Sequence, residues 1–380
     1  LIAPAHIGRI LCFMVVVAAM APRAAALLDF NEGHDRVTVS ATYGITYDSN
    51  LFVHSGGAGD YDQSLSLGTN YTRRAGLIGV NASLSVTSTR FTKFSGEDFT
   101  NPSLTLELTK NQGRLTGTAS LSAQRESTSD TATNLFTTSW NYDSSINFRY
   151  PINARYYFTS LSDFSLRDYV QNNALFNLLS YSEAINVFYV YTSKLDLMGG
   201  YRIRLGEAQG GSHTQDHALT LGATGGILPK LSGSISAGYQ WRNESGDTGG
   251  RYGALTTSLS LSWPMTKRVT ITGQASKDFT TAATDVSIDT TAFNLSASLK
   301  PTSRLKFMLT TGAGYAISNF LGTRGDGRED RALSLNTGLT FTLTTALSAS
   351  LTYAYTDNHS NIAFSNFARH TASFTLSARY

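Results

Sequence analysis

Three groups of residues in this chain could do chemistry. "HTQDH" gathers His213, Asp216 and His217, side chains that hold borderline cations when they converge. Two histidines four apart share a face only on a helix, and the sequence that follows alternates as a strand does. Solvated residues at a loop or strand start are the plainer reading. "RGDGREDR", residues 324–331, mixes glycines and acids as calcium loops do. Its acids do not follow the EF-hand order, and three arginines accompany them, so it reads as a charged loop. Hydrolysis would need a nucleophile beside a base. His34, His54, His359 and His370 stand by no such grouping, and no G-x-S-x-G is present. No enzyme activity, metal or cofactor is expected.

The third group is a set of isolated charges: Glu107, Asp143, Arg149, Arg202, Arg204, Arg242 and Lys306. Their meaning depends on the elements that carry them. Residues 294–315 show the pattern. Leu295, Ala297 and Leu299 alternate with Asn294, Ser296 and Ser298; Lys300 to Arg304 make a turn; Leu305, Phe307 and Leu309 alternate with Lys306, Met308 and Thr310. That is strand, turn, strand, each strand with one apolar and one polar face. The pattern recurs at 37–47, 77–91, 114–125, 231–242, 251–263, 330–343 and 347–357. Residues 155–192 carry aromatic or apolar residues on both faces and are the least clear. About 18 strands fit between residues 37 and 380, each long enough to cross a bilayer at a tilt.

Two readings of the apolar faces compete: the core of a soluble sandwich, or lipid. Connections decide between them. Short turns such as "RAGL", "PINAR", "LPKL" and "TTAL" alternate with longer polar stretches such as 48–60, 92–100, 126–136 and 318–329. Outer-membrane barrels show that short–long rhythm, with short turns at the periplasm. Charged residues are only 15% of the chain, against about 25% in soluble domains. The polar faces are Ser, Thr, Gly, Asn and Gln. Tyr71, Tyr150, Tyr239, Trp241, Trp263 and Tyr315 fall near strand ends, as interfacial girdles require. No loop reads as long enough for a deep inward constriction, although 48–60 and 318–329 could fold in partly.

Residues 1–26 read as a cleaved signal peptide: Arg9, an apolar run through "ILCFMVVVAAMA", and "AAA" at 24–26. Residues 27–36 are a short periplasmic segment and 37–380 the barrel. The only cysteine, Cys12, falls in the signal, which excludes thiolate chemistry from the remainder. Formal charge is +3, and the signal carries Arg9 and Arg23 away, so nothing here suits nucleic acid. The final strand, "ARHTASFTLSARY", places Phe374, Leu376, Ala378 and Tyr380 on one face. A terminal aromatic of this kind is what barrel assembly machinery reads.

The N-terminal strand runs into Tyr47, Asp48, Ser49, Asn50, Leu51 and Phe52. This "YDSNLF" resembles the β-barrel porin 2 family. The resemblance implies an outer-membrane barrel, some members of which accompany exopolysaccharide export, and supplies no catalytic residues.

The expectation is therefore an all-β, transmembrane, antiparallel up-and-down β-barrel in the bacterial outer membrane, among its lipids. Its leading function is passive diffusion of small solutes through a Ser/Thr-lined lumen, with the seven charges above pointing inward and a mild anion preference from their basic excess. The alternatives are a conduit or accessory for exopolysaccharide, favoured by inward aromatics at 157–188, and a structural barrel that conducts nothing.

Overall fold

The computed structural model describes residues 28–170, 175–246, 249–300 and 306–380. The expected signal peptide lies outside the described residues. A three-residue strand, β1 (Leu28–Phe30), precedes β2 (Asp35–Asp48), β3 (Asp60–Arg73), β4 (Gly79–Phe91), β5 (Phe99–Lys110) and β6 (Thr116–Asp130). Then come β7 (Leu135–Pro151), β8 (Tyr156–Tyr169), β9 (Leu178–Val190), β10 (Leu195–Ala208), β11 (His213–Leu228), β12 (Leu231–Ser245) and β13 (Arg251–Trp263). The series ends with β14 (Val269–Thr281), β15 (Ser287–Leu299), β16 (Phe307–Phe320), β17 (Glu329–Thr342), β18 (Leu347–Ser360) and β19 (Phe367–Arg379).

Every strand from β2 to β19 pairs antiparallel with its sequence neighbours, and β19 pairs with β2 from Thr371↔Asp48 to Arg379↔Ser40. Eighteen strands thus close into one up-and-down barrel. Closure leaves no open sheet edge, which is the condition for a sheet to lie in lipid. β1 turns back on β2 through Leu28↔Val37 and Phe30↔Asp35, so residues 28–37 form a small hairpin.

Which face looks outward follows from exposure. Leu219, Leu221 and Leu255 are 55%, 74% and 66% exposed, whereas Asp216 and Gln240, on the opposite face of the same sheet region, are nearly inaccessible. A soluble fold puts such leucines in a core. Among the described residues the cluster of buried apolar residues is small: Ala282, Val286, Ile288 and Phe320, with Ala132 against it. The exposed leucines, valines and aromatics instead run around the wall as one apolar band. Cross-strand register carries the band from strand to strand: Leu67 faces Val86, Leu84 faces Leu104, Leu106 faces Leu121, Leu219 faces Tyr239, and Tyr239 faces Leu255.

The expected strand limits match closely. β6 is the main departure, expected to end at 125 and running to Asp130. The connection expected at 126–136 shrinks accordingly to the tight turn 131–134.

Candidate functional site: the capped lumen

The end of the barrel that carries the longer connections is covered from within. Two hairpins produce most of the cover. β5 and β6 pair from Lys110↔Gly117 only as far as Ser103↔Gln124, yet β6 and β7 stay paired to Asp130↔Leu135. β13 and β14 pair only as far as Thr257↔Lys277, yet β14 and β15 stay paired to Thr281↔Ser287. Each hairpin leaves the strand before it and leans into the lumen. At the first parting stands Pro102, which has no N–H to offer a neighbour.

The leaning hairpins turn their outer faces against the inner wall. Phe136 of β7 meets Phe91 edge-on with ring centroids 5.9 Å apart. Phe279 of β14 lies under the Arg242 guanidinium, 5.2 Å from its ring centroid, and is 1% exposed. The hairpin tips then meet: Ala132 packs against Ala282, Val286, Ile288 and Phe320. Other loops are tied in. Arg328 donates to the Ala132 carbonyl at 2.8 Å and to the Thr131 carbonyl at 3.0 Å. The Phe176 N–H donates to the Ala283 carbonyl at 2.8 Å.

The Tyr47–Phe52 motif belongs to this cover. Asp48 accepts from Arg369 across the closing β2–β19 seam, at 2.5 Å from Nη2, and from the Asn50 N–H at 2.9 Å. That fixes where the chain leaves the wall. Leu51 and Val53 are then buried inside the mouth, where Asn134 Nδ2 donates to the Val53 carbonyl at 2.6 Å and Ser129 Oγ to that of Leu51. The loop after β2, and part of 321–328, thus fold inward as expected. The deeper constriction from 131–134 and 282–286 is where the structure departs from the sequence reading, because those tips are carried in by long hairpins and not by long loops.

Register places Glu107, Asp143, Arg149, Arg202, Arg204 and Arg242 on the face opposite the apolar band, and Lys306 just before β16 continues that parity. Three of them converge. Arg202 pairs with Asp278 at 2.7 Å, Arg204 with Asp216 at 2.6 Å and Asp278 at 3.2 Å, and Arg242 with Asp216 at 2.6 Å. The sequence reading placed Asp216 in "HTQDH" and passed over Asp278. Strand parity could have paired the first with the arginines, since Asp216 lies opposite both Arg204 and Arg242. His213 and His217 project to the other side, with the His217 ring stacked on Trp241 at 5.1 Å, so "HTQDH" does not converge. Among the described residues no group of three metal-binding side chains occurs.

The other inward acids meet hydroxyls. Thr109 donates to Glu107 at 3.2 Å, Ser122 to Asp143 at 3.3 Å, Ser145 to Asp163 at 2.6 Å and Tyr157 to Asp196 at 2.6 Å. None of these four carboxylates forms an ion pair among the described residues. Arg149 sits 3.7 Å over the Tyr157 ring. Tyr157 in turn stacks on Phe188 with centroids 4.6 Å apart and planes 5° from parallel. Both rings are buried, so they present no open platform for a sugar.

Tyr71, Tyr150 and Trp263 lie outward near the turn end; Tyr239, Trp241 and Tyr315 lie outward nearer the loop end. Phe374, Leu376 and Ala378 face outward beside Ile45, Tyr43 and Ala41 in the closing seam, and the Tyr380 backbone exchanges hydrogen bonds with Val39.

A closed barrel with a lipid-facing band, a polar lumen and inward loops is of the porin type. Residues 200–380 match the family described as "Putative beta-barrel porin 2", the family the N-terminal motif resembles. The chain is a β-barrel of the bacterial outer membrane. A comparison with curated proteins found no match. Among solved structures it is similar to OpdK of Pseudomonas aeruginosa, determined with vanillate, at 9% identity over 90% of this chain and 99% of that one, with a TM-score of 0.47. It is also similar to OccAB3 of Acinetobacter baumannii, at 8% identity, 91% and 99% coverage and a TM-score of 0.48. OccK2 (OpdF) of Pseudomonas aeruginosa gives 11% identity, 91% and 97% coverage and a TM-score of 0.48.

Proposed function

We propose that this barrel is a passive channel for small polar solutes, with a hydroxyl-rich lumen, a loop cover at its extracellular mouth and a preference for cations. One observation carries the charge preference. Asp216 and Asp278 offset two of the three charges on the convergent arginines, whereas Glu107, Asp143, Asp163 and Asp196 accept from hydroxyls and form no ion pair among the described residues. A fixed charge that keeps no counter-charge raises the local concentration of the opposite ion. This reverses the anion preference expected from counting arginines in the sequence. Thr256, Ser258, Ser260 and Ser262 of β13 typify the lining, a surface that holds water without trapping ions.

The exopolysaccharide reading draws no support from residues 157–188, whose inward rings cover one another. The channel reading is tested by the reversal potential of purified protein in a planar bilayer under a KCl gradient. A potential on the K⁺ side of zero supports it. A Cl⁻-selective potential removes the charge argument, and a bilayer without current steps removes the channel.

A further inference from the structure

The hairpin β14–β15 has a second place in which it fits, and we infer that it moves between the two as the gate of the lumen. The inference rests on the channel reading above.

Leaving β13 frees the backbone of β14. Arginines from β10 and β12, on the same side of the barrel as β13, reach its carbonyls: Arg204 Nη2 donates to the Phe279 carbonyl at 2.6 Å and Arg242 Nη1 to the Thr280 carbonyl at 2.8 Å. Asp278 is held by Arg202 and Arg204. On the wall side Thr256 Oγ1 still reaches across, donating to the Lys277 carbonyl at 3.0 Å. The first hairpin uses the same device, with Arg125 Nη1 donating to the Thr100 carbonyl of β5 at 3.0 Å. Guanidinium groups therefore stand where a strand ladder would otherwise be, and buried carbonyls demand one or the other.

The abandoned ladder is still encoded. Continuing the register of Thr257↔Lys277 sets Thr256 opposite Asp278, Leu255 opposite Phe279 and Ala254 opposite Thr280. In that register Phe279 would join Leu255 in the apolar band, and Asp278 would face the lumen. This is the polar-in, apolar-out alternation of a wall strand, present in a segment that now lies inside. β13 keeps its pairing with β12 up to Asn243↔Arg251, so it continues as a strand past the point where β14 leaves it. β15 stays paired with β16 to Ile288↔Phe320, so zipping would carry the end of β16 with the hairpin and draw the tip 282–286 away from Ala132 and the mouth.

Engineered disulfides in liposomes test this, because the only native cysteine, Cys12, lies in the expected signal. Ala254→Cys with Thr280→Cys can bridge only in the zipped state. Ser212→Cys with Asp285→Cys holds the inward state, since the Ser212 hydroxyl donates to the Asp285 carboxylate at 2.5 Å. The first pair is expected to bridge under mild oxidant and raise conductance several-fold; the second is expected to bridge and lower it. Reductant should reverse both, and Asp278→Asn should speed bridging of the first pair. Bridging of the second pair without the first, in the same vesicles, overturns the inference. So does bridging of both with conductance unchanged. Bridging of both in a protein that never conducts would leave the hairpin motion standing and remove the channel reading instead.

Discussion

Asn134 and Asp285 occupy the same place in two hairpin turns on nearly opposite sides of the barrel. Each has a left-handed backbone, φ 55° and 60°, a conformation that asparagine and aspartate tolerate better than most residues. Each is buried, and each side chain ties in two other loops. Asn134 donates to the Val53 carbonyl and accepts from Ser365 Oγ at 2.7 Å; Asp285 accepts from Ser212 and Arg324. The cover of the lumen therefore rests on two short turns carried inward by long strands.

The charge cluster is predicted to be structural. Asp216→Ala leaves Arg242, whose side chain is 2% exposed, without its carboxylate. Removing one member of a buried pair costs about 3–5 kcal/mol. Urea unfolding from lipid vesicles, followed by tryptophan fluorescence, should show that loss. Asp143→Asn, at an exposed inward site, should fall within about 0.5 kcal/mol of the parent.

The two faces should answer differently to the same side chain. Leu221→Arg sets a charge in the apolar band and should cost about 2–4 kcal/mol in the same assay. Ser258→Arg, on the inner face, should cost little and shift the reversal potential toward Cl⁻.

Most of the barrel is legible in the sequence, because alternation, turn chemistry and the rhythm of connections all report the same geometry. Leu295–Leu299 and Leu305–Leu309 illustrate it: a period of two says that one face is apolar, and sparse charge on the other says that it is not bulk-facing. The cover is not legible in that way. Asp278, Phe279 and Thr280 alternate like wall residues, and alternation is silent on whether the preceding strand is still paired. Arg202, Arg204 and Arg242 were visible as inward charges. Their second partner was not, since Asp278 comes from a strand that reaches them only by leaving the wall. The role of Tyr47–Phe52 was equally hidden, because Asp48 acts on Arg369, at the other end of the chain.

The closing seam should control the first loop. Asp48→Asn weakens its pairing with Arg369 and its bond from the Asn50 N–H, a loss of about 1–3 kcal/mol. Limited proteolysis of the protein in liposomes should then cut within 49–59 sooner than in the parent. An unchanged cleavage rate would separate Asp48 from the loop.

Selectivity should follow the acids that keep no counter-charge. Asp143→Asn combined with Asp163→Asn should reduce the K⁺ over Cl⁻ permeability ratio several-fold, and more at low salt, where screening is weaker. A ratio indifferent to both would place the selective charge elsewhere.

The account depends most on which side of β11 meets lipid. Nitroxide labels placed one at a time from Leu219 to Ala223 in liposomes report it through collisions with oxygen and with a water-soluble nickel complex. Odd positions should favour oxygen and even positions nickel, residue by residue. Equal access at all five, or nickel reaching Leu219 and Leu221 best, would contradict a lipid-facing barrel.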